Sequence, residues 1–159
     1  SLVRHAWVDG GIQNTPQATG VSSNAYYLYN HETGFNDDTE PMDNVFIQSA
    51  DFDIGDGDSL AFVKRILPDI QFVNALGTSP NGAVNIVLKN RDFMGESLTT
   101  DSTSKITSTT NKADVRARGR QFVLRFESDD DNDTQDRKDY KWRLGNTRLD
   151  IQPSGRRGS

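Results

Sequence analysis

The chain has 159 residues, a net charge of −5, 33% hydrophobic residues, two histidines and no cysteine. This length suits one domain or part of a larger protein. The missing thiols exclude disulfides, thiolate zinc sites and a cysteine nucleophile, and the acidic balance is the reverse of a nucleic-acid-binding profile. No apolar run approaches the roughly 18 residues of a membrane helix. The charge is split: residues 113–159 hold 11 Lys/Arg and 9 Asp/Glu, while residues 1–112 hold the other 7 and 14. Opposite fields at the two ends suit contact between subunits. The first residue is Ser rather than Met, as expected of a processed product or of part of a longer polypeptide.

In chain order, period-two patterning dominates and no stretch of 12 residues keeps a clean helical spacing of apolar positions. Residues 25–29 (AYYLY) form an aromatic strand, and residues 44–52 (NVFIQSADF) alternate Val45 and Ile47 against Phe46 and Gln48. Residues 59–67 (SLAFVKRIL) form a dense apolar strand stopped by Pro68, and residues 82–90 place Val84, Ile86 and Leu88 on one face. Residues 105–110 (KITSTT) have the polar, β-branched character of an edge. Residues 113–128 read as one long strand with Phe122, Leu124 and Phe126 on one side. Residues 140–145 carry Tyr140, Trp142 and Leu144 on one face, and residues 147–151 close the set.

Turn signals separate these runs, at DGG (9–11), GDGD (55–58), SPNG (79–82) and LGN (144–146). The reading is a single β-rich domain over 1–159: all-β, antiparallel, a sandwich or a propeller-associated arrangement with long polar loops. No internal repeat counts propeller blades. Residues 30–44 and the acidic stretch 129–139 read as loops, the second as a hairpin connection carrying six Asp against Arg137 and Lys138.

The stretch DFDIGDGD (51–58) carries Asp51, Asp53, Asp56 and Asp58 in the manner of a calcium loop. An EF-hand needs acids at positions 1, 3 and 5, Gly at 6 and Glu at 12. Starting at Asp51, Gly55 takes position 5. Starting at Asp53, glycines take positions 3 and 5. Starting at Asp56, Leu60 takes position 5, and no register ends in Glu. The repeat-type loop G-x-G-x-D fails at Ser59. A glycine-rich turn between two strands explains the composition better, so the four aspartates remain weak metal candidates and no cofactor is expected.

Catalytic patterns fare no better. Glu96 and Glu127 lie beside strands without a partner carboxylate. No G-x-S-x-G, G-x-G-x-x-G or phosphate loop occurs, and His31 in NHETG reads as a turn residue. The chain is expected not to be an enzyme. Arg116, Arg118 and Arg120 recur at every second position. On one strand they would share a face with Phe122, Leu124 and Phe126, at the rim of an apolar contact, and their planar forks suit carboxylates of a neighbouring subunit. Trp142, Arg156 and Arg157 are the other interface candidates.

The phrases LYNHETG, FIQSADFDIGDGD, FVKRILPDIQF, VRARGRQFVLRFES and WRLGNTRLDIQPSGRR, in that order from about Trp7 to Arg157, resemble the C-terminal portion of tail nozzle (tail tubular, hub) proteins of short-tailed bacteriophages. The resemblance implies a virion structural protein of the phage tail, associated with β-propeller architecture and without catalytic residues. It implies a homo-oligomeric sixfold ring below the portal-adaptor, other tail proteins as neighbours, and passage of genomic DNA during ejection without sequence-specific binding. No membrane role follows. Members of that family extend several hundred residues further at the N-terminus, and the insert 129–139 is longer than their usual turn. In such a channel, acidic loops would repel DNA phosphates. An alternative of another class is a calcium-dependent carbohydrate-binding or adhesin sandwich using Asp51 to Asp58 with Tyr26, Tyr27 and Trp142.

Overall fold

A computed structural model of the chain describes residues 3–9, 15–34, 36–37, 40–42, 45–54, 59–74, 82–129 and 140–156. Every regular element among them is a β-strand, and all pairings are antiparallel. The chain divides into two compact units, Ser1–Gly34 and Phe35–Ser159.

The first unit is a meander of β1 (Val3–Val8), β2 (Gln17–Ser22) and β3 (Ala25–Asn30), in that spatial order. Ser23 and Asn24 both take positive φ, 49° and 62°. Two left-handed residues in a two-residue loop make the turn whose twist matches that of the flanking strands, and Asn tolerates the conformation better than most residues. On one face Trp7 and Tyr29 flank Ala18 across the register, with Tyr27 beside Gly20. Ala18 is buried beneath them, and Tyr27 and Tyr29 lie 5.8 Å apart. The other face carries Val8, Leu28 and Tyr26.

The second unit holds β4 (Asn36–Asp37), β5 (Glu40–Pro41), β6 (Phe46–Gln48), β7 (Phe52–Asp53), β8 (Ser59–Leu67), β9 (Ile70–Asn74), β10 (Ala83–Arg91), β11 (Thr99–Thr107), β12 (Ala113–Gly119), β13 (Gln121–Ser128), β14 (Tyr140–Leu144) and β15 (Arg148–Arg156). One sheet runs β11-β10-β13-β6, with β7 also on β13; a second runs β12-β8-β15; β14 pairs with β9 and β4 with β5.

The first two sheets share one core, as in a sandwich. Val84, Ile86 and Leu88 of β10 lie beside Phe126 and Leu124 of β13 in register. Val63 and Ile66 of β8 and Val115 and Ala117 of β12 join the same cluster. Phe122 is wholly buried and packs 6.0 Å from the Phe52 ring. Burial of a side chain of this size contributes roughly 1.5–3 kcal/mol.

The run 113–128 departs from the expected single strand. It breaks at Arg120 into β12 and β13, which belong to different sheets. Gly119 makes the crossing possible, because a Cβ there would stand 3.0 Å from Asn90 Cβ and 3.3 Å from the Arg91 carbonyl. The amide of Arg120 donates to that carbonyl at 3.2 Å. Buried Asn90 ties both sheets, its Nδ2 donating to Asp101 Oδ2 at 2.7 Å and to the Arg118 carbonyl at 2.6 Å. Two other expected hairpins are also connections between sheets. β7 lies on β13 whereas β8 lies in the second sheet, and β13 and β14 do not pair with each other.

The pairs β8–β15 and β9–β14 are two halves of one ribbon, bent where Pro68–Asp69 faces residues 145–147. Asp69 holds the bend: its carbonyl accepts from Gly145 N at 2.7 Å and its Oδ2 from Asn146 N at 3.2 Å. A side chain at Gly145 would run into that carboxylate.

Candidate functional site

The concentration of chemistry in the second unit is the outer face of the sheet β12-β8-β15. On β12, Ala113, Val115, Ala117 and Gly119 point inward, which leaves Asp114, Arg116 and Arg118 exposed. The register sets Asp114 opposite Arg65 and Arg118 opposite Phe62, with Asp150 and Gln152 of β15 continuing these two rows. Bulges near Lys64 shift the alternation, so that Val63 and Ile66 both turn inward while Lys64 stays exposed.

The outward positions of the three strands up to Gln152 therefore hold five cations (Lys64, Arg65, Arg116, Arg118, Arg148) and two anions (Asp114, Asp150). This local excess of three positive charges stands on a chain of net −5. Arg65 Nε bonds Asp114 Oδ1 at 3.1 Å, with Lys112 Nζ 3.8 Å from the other oxygen. Arg118 Nη2 donates to the Ser154 carbonyl at 3.3 Å. Among the described residues Lys64, Arg116 and Arg148 have no carboxylate partner. Held on paired strands, cations on alternate residues sit about 6.8 Å apart and neighbouring strands about 4.8 Å apart, a fixed array rather than a mobile cluster.

The sequence placed Arg116, Arg118 and Arg120 on one face, continuing into Phe122. The break at Arg120 undoes this. Arg116 and Arg118 face outward, Arg120 sits in the bend with its guanidinium 5.9 Å from the Phe93 ring, and Phe122 belongs to the other sheet's inner face. The remaining cations of the face, Lys64, Arg65 and Arg148, escaped sequence reasoning because they are far from Arg116 in the chain and only strand register unites them with it. The one local signal was the charged pair Lys64-Arg65 inside an otherwise apolar strand.

Trp142 is no surface anchor. Its Nε1 donates to Ser128 Oγ at 2.9 Å and its ring packs on the core cluster beside Phe72 and Leu144. The Arg156 side chain and all of Arg157 lie outside the described residues.

Two of the four aspartates of 51–58 fall among the described residues. Asp51 is taken by an ion pair with Arg91, Asp53 is exposed on β7, and Asp56 and Asp58 lie outside the described residues. Among the described residues no group of three or more potential ligands is placed to hold a metal ion, and no helix is long and apolar enough to cross a membrane. Tyr26 and Tyr27 are successive residues on β3 and point to opposite faces, so they do not form one stacking surface. Asp129, read as the first residue of a solvated loop, is instead buried, accepting from Asn85 Nδ2 at 2.9 Å and pairing with Lys105; residues 130–139 lie outside the described residues.

No protein-family model matches the chain, and no curated protein matches it.

Proposed function

We propose that the chain is a structural subunit of a phage tail nozzle, assembling with copies of itself into a ring below the portal-adaptor through which DNA is ejected. The observation that carries this reading is the bare apolar face of the first unit. Val8, Tyr26 and Leu28 are 65, 89 and 63% exposed. Among the described residues this three-stranded sheet has little core of its own, and large apolar side chains exposed on one sheet face mark a contact with another protein. The edge strand β6 adds exposed Phe46 and Ile47, and an unprotected sheet edge invites pairing with another strand. The resemblance of five phrases of the chain to tail nozzle proteins supports this kind of assembly, and the all-β body suits a rigid scaffold for it.

The test is the mass of the chain by light scattering, alone and with a portal–adaptor complex. A ring or a co-assembled complex is expected. A stable monomer that binds neither copy nor complex would contradict the reading.

A further inference from the structure

The outer face of β12-β8-β15 carries an aromatic ring among its cations. Phe62 of β8 stands at an outward position, between Arg118 of β12 and Gln152 of β15 in register, and remains partly exposed. It is the one aromatic residue on the three strands. From this array we infer that the face binds a single-stranded polynucleotide, with phosphates on the cations and a base on the Phe62 ring. Such binding lies beyond the assembly drawn from the first unit and uses none of that unit's residues.

The cations suit a phosphate chain. Lys64, Arg116 and Arg148 are exposed and have no carboxylate partner among the described residues, so each is open to a phosphate. Arg116 and Arg118 stand about 6.8 Å apart along β12, close to the repeat of an extended sugar–phosphate backbone. A guanidinium meets phosphate oxygens through two parallel hydrogen bonds. From the Arg148–Leu67 pair to the row of Gln152, Phe62 and Arg118 the face runs about 16 Å along β8, which holds a few nucleotides. Strand pairing already orders the backbone of these residues, so binding folds no loop.

The ring decides between polyanions. An acidic protein surface would answer the cations and set its carboxylates against Phe62. A nucleotide answers both, because its phosphate is charged and its base presents a flat π-face. Bases stacked on aromatic side chains beside a cationic track are how single strands are held without sequence readout. In a duplex the bases are stacked on one another and cannot reach the ring unless they are flipped out. Exposed Gln152, paired with Phe62 in register, adds an amide that both donates and accepts at a base edge.

The chain's net charge of −5 opposes the approach of any polyanion at long range. The local excess of three positive charges acts within a Debye length, about 10 Å at 0.1 M salt. Binding is therefore modest and falls steeply as salt rises.

Fluorescence anisotropy of a labelled oligothymidylate of about 15 nucleotides, titrated with the full chain at about 50 mM salt, tests this. The oligothymidylate should bind, and a duplex of the same length should bind at least about tenfold more weakly. An oligouridylate should match the oligothymidylate within about threefold, because the face meets phosphate and base rather than sugar. The triple variant Lys64→Gln, Arg116→Gln and Arg148→Gln should weaken binding at least about tenfold. It should also flatten the log–log salt slope by about 2, at roughly 0.7 per lost phosphate contact. Phe62→Leu keeps an apolar side chain in the sheet; it should weaken binding about tenfold and leave the salt slope unchanged. An unchanged melting temperature confirms that each variant is folded, and the triple variant, at exposed positions only, carries the test if Phe62→Leu does not fold. No binding of the oligothymidylate, or equal binding of the duplex, would overturn the inference. Full affinity in Phe62→Leu, with poly-L-aspartate displacing the oligothymidylate at equal charge, would overturn it in favour of an acidic protein partner.

Discussion

In the second unit, Ile86, Leu88, Val63, Ile66 and Phe122 are cut off from water entirely, whereas in the first unit Val8, Tyr26 and Leu28 keep most of their exposure. Both units are antiparallel sheets of similar strand length with two-sided patterning. The difference is a second layer. In the body, β12-β8-β15 lies over β11-β10-β13 and each inward residue finds a partner. In the meander, small Ala18 and Gly20 are covered on one face by Trp7, Tyr27 and Tyr29, and the other face is bare. A chain with 33% hydrophobic residues closes one core within the second unit and leaves large apolar side chains exposed in the first.

The comparison breaks first where the body is fullest. Phe122→Ala should lower body stability by about 3–5 kcal/mol, the usual cost of emptying a fully buried phenyl site, read as the midpoint of denaturant unfolding. A loss under about 1 kcal/mol would show that the two sheets do not close on this ring. Asn90→Ala comes next, at about 1–3 kcal/mol, because it strips the Arg118 carbonyl and Asp101 of their shared donor. Unfolding that stays at the parent midpoint would deny the tie between the sheets. Arg65→Ala should cost under about 1 kcal/mol, since its pair with Asp114 is solvent-exposed and screened. The smallest effect is the sharpest contrast. Leu28→Ser should leave body unfolding unchanged while weakening assembly, and a matching fall in body stability would mean that this face is part of the body's own core.

Much of the body was legible in the sequence. The strand 59–67 and its stop at Pro68 match β8, the Val84-Ile86-Leu88 face is the inner face of β10, and the alternation at 140–144 matches β14. Pairing between distant segments was not legible. Residues 113–128 alternate well enough for one strand, and only the close approach of Gly119 to Asn90 and Arg91 divides them. β1 and β2 were missed because QATGVS and VRHAWV carry small or charged residues where a strand pattern looks for β-branched ones. The strand read at 105–110 begins earlier, as β11 at Thr99, since its polar Thr and Ser residues resemble a loop until β10 pairs with them. The candidate site suffered most. Its cations come from three strands, and register alone brings them to one face.

Amide hydrogen exchange, resolved by segment on the isolated chain and on the chain in the proposed assembly, tests the central claim most directly. The account predicts slow exchange in β10 and β13 in both samples, and fast exchange in β1 to β3 that slows at least tenfold on assembly. Equal, strong protection of β1 to β3 in the isolated chain would contradict it.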